Sequence, residues 1–429
     1  MNRNEKDFDL GNINCDDYTQ IDFMEYRGDD LFDGAVFFDR FVRDATAKGY
    51  NVYGSRISSS PGPEFDVFDQ NAGKIRRFLN FCSYNYLGYS THPEVIKAVQ
   101  DAVGRYGTGA VSAPLLSGYY DMSKALEDAI SAFKGTGDTV IFPTGYGVNL
   151  GVISSILKPG DVAVLDILSH ASIYDGVKMS GADLKVFSHN NPKHLDRVLG
   201  ELRGKRTLVC VEGVYSMDGD LVKLPEIVAV CKQYGAKLLL DEAHSTLIFG
   251  EHGRGVAEHF GVEDDVDLKI GTFSKAFGAI GGYVAGDAKL MFLIRASAHP
   301  YVFSCAMAPH TAAGILKVLE LYEKDHSCRD RLQENARYMK ERLSTAGLDI
   351  GGTESQVIPV IVGNDRKLRE VSKRVFERGL YTGVVTFPAV SSKRTRLRLS
   401  ISSEHTKEQM DEAVTILIDV FDEFKDFKR

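Results

Sequence analysis

Between residues 61 and about 300 the chain alternates short apolar runs with helical stretches. The runs are "TVIFPTG", "DVAVLDILSH", "LKVFSHN", "TLVCVEGVYS", "AKLLLDEAH" and "VDLKIGTFSK", separated by segments such as "LPEIVAVCKQYG". Strand and helix taking turns in this way predict a mainly parallel sheet covered by helices on both faces, an α/β architecture. In such sheets ligands bind beyond the carboxyl ends of the strands. The conspicuous polar residues follow different runs at those ends: Thr144 and Gly145, His170, Ser216, Asp241 with His244, and Lys275. Their convergence predicts one site.

The flanks read differently. Residues 1–60 are expected to form a polar arm and a short helix, "GAVFFDRFVRDATAKG", before the Ser/Pro/Gly-rich break "SSSPGPE". "FDVFDQNAGKIRRFLNF" alternates around Asn-Ala-Gly and predicts a hairpin opening a large domain over 61–305. Residues 306–429 are expected to supply a linking helix and a smaller α+β domain. That domain would hold the helix "RDRLQENARYMKERLSTAG", the strands "VIPVIVG", "YTGVVTF" and "RTRLRLSI", and a last helix opened by a Thr406–Gln409 capping box. Met410, Ala413, Val414, Leu417, Ile418 and Phe421 give that helix its apolar stripe.

A net charge of −8 argues against nucleic acid and anionic membranes as partners, and points to small molecules. The six cysteines have no metal-like spacing and are expected to be reduced packing residues. The polar, acidic start "MNRNEKDFDLGNINCDDYTQ" does not resemble a signal peptide, and no apolar run approaches a membrane span, so the expected compartment is the cytoplasm.

Lys275 is the sharpest chemical signal. An isolated lysine is ordinarily a solvated surface residue. In "GTFSKAFGAIGG" it stands among glycines and small hydroxyls, where backbone can approach a ligand closely and desolvation makes an amine nucleophilic. "LLLDEAHS" admits a rival reading as the Mg-binding strand of a nucleic-acid ATPase. That reading needs a GxxxxGK[ST] phosphate loop, which the chain lacks. A carboxylate closing an all-leucine strand is instead expected to face a buried cation.

Together, "NYLG", "TGYGVNLG", "SHASIYDG", "EGVYSMDGD", "DEAHS", "GTFSKAFGAIGGYVAG", "YVFSCAMAP" and "RLRLSISSEHT" resemble the α-oxoamine synthases, fold type I enzymes that use pyridoxal 5′-phosphate. The resemblance covers roughly residues 40 to 425, and within the family it is strongest to the bacterial serine palmitoyltransferases. It implies that Lys275 carries the cofactor aldehyde as a Schiff base and that Asp241 faces the pyridine nitrogen. His170 would stack on the ring, with His244 and Ser216 near the ring oxygen. Gly145 and Tyr146 N–H groups and the Thr272 and Ser274 hydroxyls would hold the phosphate, joined by Ser304 across the interface of a homodimer. Ordinary turn chemistry remains an alternative for Ser274. Arg398 would bind the substrate carboxylate with help from Asn85. Strand alternation puts Arg396 and Arg398 on one face, whereas Lys393 and Arg394 read as a solvated edge.

The implied reaction is a decarboxylating condensation. Lys275 removes a proton from the amino acid Cα, the carbanion attacks an acyl thioester, carbon dioxide leaves, and an α-amino ketone is released. Serine is the favoured amino acid, with alanine and glycine next. The acyl donor is carried on coenzyme A or an acyl carrier protein, and the pathway implied is sphingolipid synthesis. Pro114 and Ser123 stand where many relatives have an arginine and a histidine, and Ser391 where proline is common, which leaves the donor open. Other α-oxoamine synthases, of the 2-amino-3-ketobutyrate or 8-amino-7-oxononanoate type, and an aminotransferase are the alternatives.

Overall fold

The computed structural model describes residues 13–19, 22, 25–50 and 55–427. The polar start of the arm, residues 1–12, lies outside these. In chain order the strands are β1 (Arg56–Ile57), β2 (Glu64–Asp69), β3 (Lys74–Phe81), β4 (Asp138–Phe142), β5 (Val162–Asp166), β6 (Asp183–Phe187) and β7 (Thr207–Glu212). They continue with β8 (Lys237–Asp241), β9 (Leu268–Thr272), β10 (Gly282–Gly286), β11 (Val357–Ile361), β12 (Leu380–Val385) and β13 (Arg396–Ser400).

Seven strands form one sheet in the order β4-β10-β9-β8-β7-β5-β6. All six apolar runs are present as strands, and the sheet is parallel except for β10, which is antiparallel to both neighbours. β10 escapes a periodicity reading because it is short and begins and ends in glycine. Gly282 is needed there: a Cβ would lie 2.8 Å from the Gly271 carbonyl and 2.9 Å from Gly145 Cα.

Side chains along these strands point alternately into two cores. Leu238 and Leu240 join one cluster and Leu239 the other; in β7, Val209 and Val211 oppose Leu208 and Cys210. The unbroken "LLL" is therefore the signature of a strand buried on both faces rather than of a helix. Helices Gly145–Ile156, Ala171–Ser180 and Ala288–Ser297 cover one face. Helices Pro192–Glu201, Leu224–Tyr234 and Pro309–Lys324 pack against the other cluster.

The second sheet has six strands, β1-β2-β3-β12-β13-β11. The hairpin forms as expected, with Glu64 opposite Leu79 and Asp69 opposite Lys74. It is hydrogen-bonded into the sheet of the C-terminal strands, because β3 runs parallel to β12 through Leu79, Asn80 and Phe81. Sheet membership thus differs from an expected division at residue 61. Leu79 and Phe81 bury their side chains in the same core as Leu397, Leu399 and Val414, which no local pattern reports. The last helix, Lys407–Glu423, has its reciprocal Thr406–Gln409 capping box. Met410, Ala413, Val414 and Leu417 are buried in its stripe, while Ile418 and Phe421 lie partly exposed at its margin.

Among the described residues no helix is long and apolar enough to cross a membrane. All six cysteines are free; Cys305 is exposed, so packing does not account for it as it does for buried Cys15, Cys210, Cys231 and Cys328.

Candidate active site

A cavity of about 290 Å³ opens at the carboxyl ends of β4, β7, β8 and β9, with His170 contributed from beyond β5. Gly145 and Tyr146 form its first wall. They open the helix Gly145–Ile156, whose N-cap, Thr144, accepts a hydrogen bond from the Gly147 N–H. The two N–H groups before Gly147 are first-turn donors without helical acceptors, a natural anion cradle. Thr272 closes in from β9; a Cβ at position 145 would sit 2.8 Å from its Oγ1. Thr272 Oγ1 also bonds Ser274 Oγ at 2.8 Å and donates to the Gly281 carbonyl at 3.0 Å. Turn chemistry and cavity lining are thus combined in the Thr272–Ser274 pair.

Lys275, Asp241, His170, His244 and Ser216 also line this cavity. Burial lowers the Lys275 amine to about 8; Arg398 pushes the same way, while Asp241 and Glu212 oppose it. Asp241 has both carboxylate oxygens engaged: Oδ1 accepts from the Ala243 N–H at 3.0 Å, and Oδ2 accepts from Asn149 Nδ2 at 2.8 Å. His244 is buried, lies 2.9 Å through Nδ1 from the Tyr86 hydroxyl, and is held well below the usual imidazole range by burial and by nearby Lys275 and Arg398. His170 titrates below its ordinary value through desolvation and the Lys275 charge, which together outweigh Asp241.

Arg396 and Arg398 are both buried on β13, but their donors have different fates. Arg396 is spent on structure: it donates to the Arg394 carbonyl, the Met217 carbonyl and Asp218 Oδ1 at 2.7, 2.8 and 2.8 Å. Arg398 donates from Nη1 to the Tyr84 hydroxyl at 2.9 Å, yet its Nε and Nη2 are buried without a partner. A guanidinium 5% exposed with unused donors is costly to maintain and suited to a carboxylate. Tyr84 links it to the cavity, its ring centroid 5.0 Å from the Arg398 guanidinium and 5.9 Å from Lys275 Nζ. Lys393 and Arg394 lie in an exposed 3-10 turn, where Arg394 pairs with Asp218 at 3.1 Å.

Three expected residues do not line the cavity within this chain: Asn85, Ser304 and Arg398, the last approaching it only through Tyr84. Asn85 is buried and used locally, accepting from the Ser90 N–H at 3.2 Å and donating to the Pro61 carbonyl. Ser304 sits in the turn after the short helix His299–Val302, beside the 77%-exposed Phe303. Of the departures, Ser123 is buried inside the helix Asp121–Lys134, and Pro114 opens a π-helical turn, Pro114–Gly118. The rival use of "DEAH" fails physically: Glu242 is fully buried and paired with buried Lys134 at 2.6 Å.

Residue reading missed Asn149, Ser172, Glu212 and Tyr84, although all lie inside or beside the quoted motifs. Glu212 stands in register with Asp241, and burial together with that neighbouring charge pushes its carboxyl up to about 8. Its Oε1 has no partner. One cavity therefore holds a carboxyl raised to about 8 and an amine lowered to about 8, a set suited to moving protons.

The loop carrying Ser216 is pinned from behind. His189 lies 3.0 Å from Asp166 Oδ1 and 3.0 Å from Asp220 Oδ2, and Tyr215 donates to Asp166 Oδ2 at 2.9 Å. The two carboxylates outweigh desolvation and raise His189 to about 10. A raised folded value means stabilisation fully present below the ordinary imidazole pKa and lost as pH rises through about 10. His189→Ala is expected to lower stability by about 2 kcal/mol near pH 6, because it removes the cation paired with buried Asp166. Urea titrations should show the difference from the unaltered chain shrinking as pH rises from the ordinary imidazole range and gone above about 10.

The lining of the cavity fits pyridoxal phosphate: it offers a helix N-terminus with hydroxyls beside it, a carboxylate and a lysine. Comparison with known proteins agrees. Residues 76–417 match the family described as "Aminotransferase class I and II". The chain is 36% identical over 406 residues to 4-hydroxy-2,2'-bipyrrole-5-methanol synthase PigH of Serratia sp., covering 94% of this chain but only 62% of that protein. It is 38% identical over 343 residues to 8-amino-7-oxononanoate synthase of Alkaliphilus metalliredigens, covering 80% and 87% of the two chains. With serine palmitoyltransferase of Sphingobacterium spiritivorum it shares 37% identity over 381 residues, 89% and 94% of the chains. A solved serine palmitoyltransferase with PLP as internal aldimine superposes with a TM-score of 0.87 at 31% identity, over 92% of this chain and 99% of that one. The chain belongs to the aminotransferase class I and II family, and within it to the α-oxoamine synthases, pyridoxal-phosphate-dependent acyltransferases of fold type I.

Proposed function

We propose that the protein condenses an amino acid, serine first, with an acyl thioester and releases carbon dioxide and an α-amino ketone. The observation that carries this reading is the buried Arg398, whose unpartnered donors stand beyond Tyr84 from Lys275. Bound pyridoxal phosphate would supply an electron sink for a carbanion at Cα. Gly145 and Tyr146 N–H groups with Thr272 and Ser274 would hold its phosphate, Asp241 its ring nitrogen, Lys275 its aldehyde, and His244 and Ser216 its ring oxygen. His170 would lie on the ring face. Lys275 is poised to take the Cα proton, since an amine titrating at about 8 is partly free base at neutral pH. Arg398 would hold the amino acid carboxylate until it departs.

A homodimer is part of this reading. Ser304 stands outside the cavity beside exposed Phe303, and family resemblance assigns Ser304 and Asn85 to the other subunit's site. Mixing Lys275→Ala chains with chains defective at Asn85 should restore some activity, and an active monomer would refute the composite site. For the donor, an acyl carrier protein and coenzyme A are both proposed carriers, with the 8-amino-7-oxononanoate type of donor equally supported by relatives.

The test is a spectral screen of the bound cofactor with serine, alanine and glycine, followed by condensation assays with palmitoyl-CoA, a dicarboxylic acyl thioester and the same acyl groups on a carrier protein. No response to any of the three amino acids would overturn the reading. Accumulation of a pyridoxamine form in a single turnover would mark an aminotransferase instead.

Arg398→Met should raise the amino acid KM by roughly 100-fold, the cost of losing a desolvated charged contact. Thermal stability of the apoprotein should hold or rise, because the change removes buried donors that lack partners. A fall in stability with unchanged KM would assign Arg398 to structure.

A further inference from the structure

His170 is the N-cap of the helix Ala171–Ser180, and it caps with a ring nitrogen: Nδ1 accepts from the Ser172 N–H at 3.2 Å. The Ser172 hydroxyl lies 2.7 Å from the same nitrogen. Which of these two atoms carries the proton is decided by the bonds around them. Asn149 Nδ2 approaches Asp241 Oδ2 at 2.8 Å and Ser172 Oγ at 3.0 Å. A carboxylate oxygen only accepts, so the amide must present its NH₂ there, and its second N–H falls on Ser172 Oγ. Accepting that bond still leaves Ser172 Oγ a second lone pair, so the deciding group is the Ser172 N–H: it can only donate, it needs the lone pair of Nδ1, and the hydroxyl is then left to donate its own hydrogen there. Two donors then converge on Nδ1, where only a lone pair can receive them. Asn149, Ser172 and Asp241 are all buried to more than nine-tenths where they line the cavity, which favours these direct bonds over water.

We propose that Asn149 and Ser172 are positioning residues that lock His170 in the tautomer carrying its proton on Nε2, and that they link this choice to the carboxylate of Asp241. Helix capping and site chemistry are then one requirement: the cap needs an acceptor at Nδ1, and the hydrogen at Nε2 becomes a fixed donor for a substrate oxygen. The carboxylate that resembles a cofactor partner thus has a second task through its Oδ2. This inference rests on the reading of His170 as a cofactor- and substrate-facing ring, but the tautomer itself is testable without cofactor.

The experiment uses the full chain as apoprotein, labelled with ¹⁵N-histidine, and reads His170 in long-range ¹H–¹⁵N correlation spectra, assigned by its loss in His170→Gln. The expected result is a pyridine-type Nδ1 and a pyrrole-type Nε2. Ser172→Ala should draw the two shifts toward each other, since only the backbone donor remains, and should weaken amino acid binding to the holoenzyme about fivefold. Ser172→Thr should restore both. A pyrrole-type Nδ1 in the unaltered chain overturns the proposal, as does an unchanged ¹⁵N pattern in Ser172→Ala. The unaltered chain decides the tautomer even if a variant fails to fold. A locked tautomer in a chain that takes up no pyridoxal phosphate would sink the functional reading and leave this one standing.

Discussion

Lys275→Ala is expected to yield a protein that folds, carries no covalent cofactor and loses turnover by at least about 10³-fold, since it removes the covalent anchor and the general base together. Among the described residues Lys275 makes no hydrogen bond or close ion pair, its Nζ lying 5.9 Å from the Tyr84 ring centroid, so its removal breaks no direct polar contact. Absorbance after dialysis against pyridoxal phosphate, mass spectrometry after borohydride reduction and the condensation rate are the readouts. The pH dependence adds a second check. Burial lowers the Lys275 amine to about 8, so Schiff-base formation by the apoprotein should accelerate with rising pH and level off near pH 8 to 9. An ordinary lysine would keep accelerating past pH 10. A plateau absent below pH 10, or a reduced cofactor adduct on another lysine, would remove Lys275 from its role.

Asp241→Asn is expected to cost roughly 10²–10³-fold in turnover, the scale of losing one preorganised charge in an enclosed site. Two further consequences separate this charge effect from simple damage. Asp241 opposes the desolvation of Lys275, so its neutralisation should move the Schiff-base plateau to lower pH. The amide also cannot accept from both the Ala243 N–H and Asn149 Nδ2 without turning its own NH₂ against one of them. A stability loss of about 1–2 kcal/mol should follow from that mismatch. Near-normal turnover, with the plateau unmoved, would show that Asp241 does not act through its charge.

The α/β alternation, the strand-end polar residues and the singular position of Lys275 were legible in the chain, because each is a local pattern of period, burial and residue chemistry. "LLLD" is an example: three leucines fit a strand when both faces are covered, and an aspartate can follow at the strand's carboxyl end, where a ligand can meet it. Family likeness added the roles expected of His170, His244 and the hydroxyls of Thr272 and Ser274.

What sequence could not separate were residues of identical type and pattern. Arg396 and Arg398 share a face of β13, and only the approach of the Met217–Asp218 loop consumes the first fork, while Nε and Nη2 of the second keep no partner. The hairpin's allegiance was likewise decided by the β3–β12 pairing across some three hundred residues of chain, a contact that no local periodicity encodes. Glu212, silent in sequence, became a raised acid because strand register set it beside Asp241 in a desolvated cavity. The hydrogen-bonded chain behind His170, through Ser172 on its own helix, Asn149 on the helix before and Asp241 on β8, joins three separate elements. Local sequence determines which groups are available; hydrogen-bond direction, desolvation and charge pairing depend on neighbours brought together in space, and those the tertiary structure alone supplied.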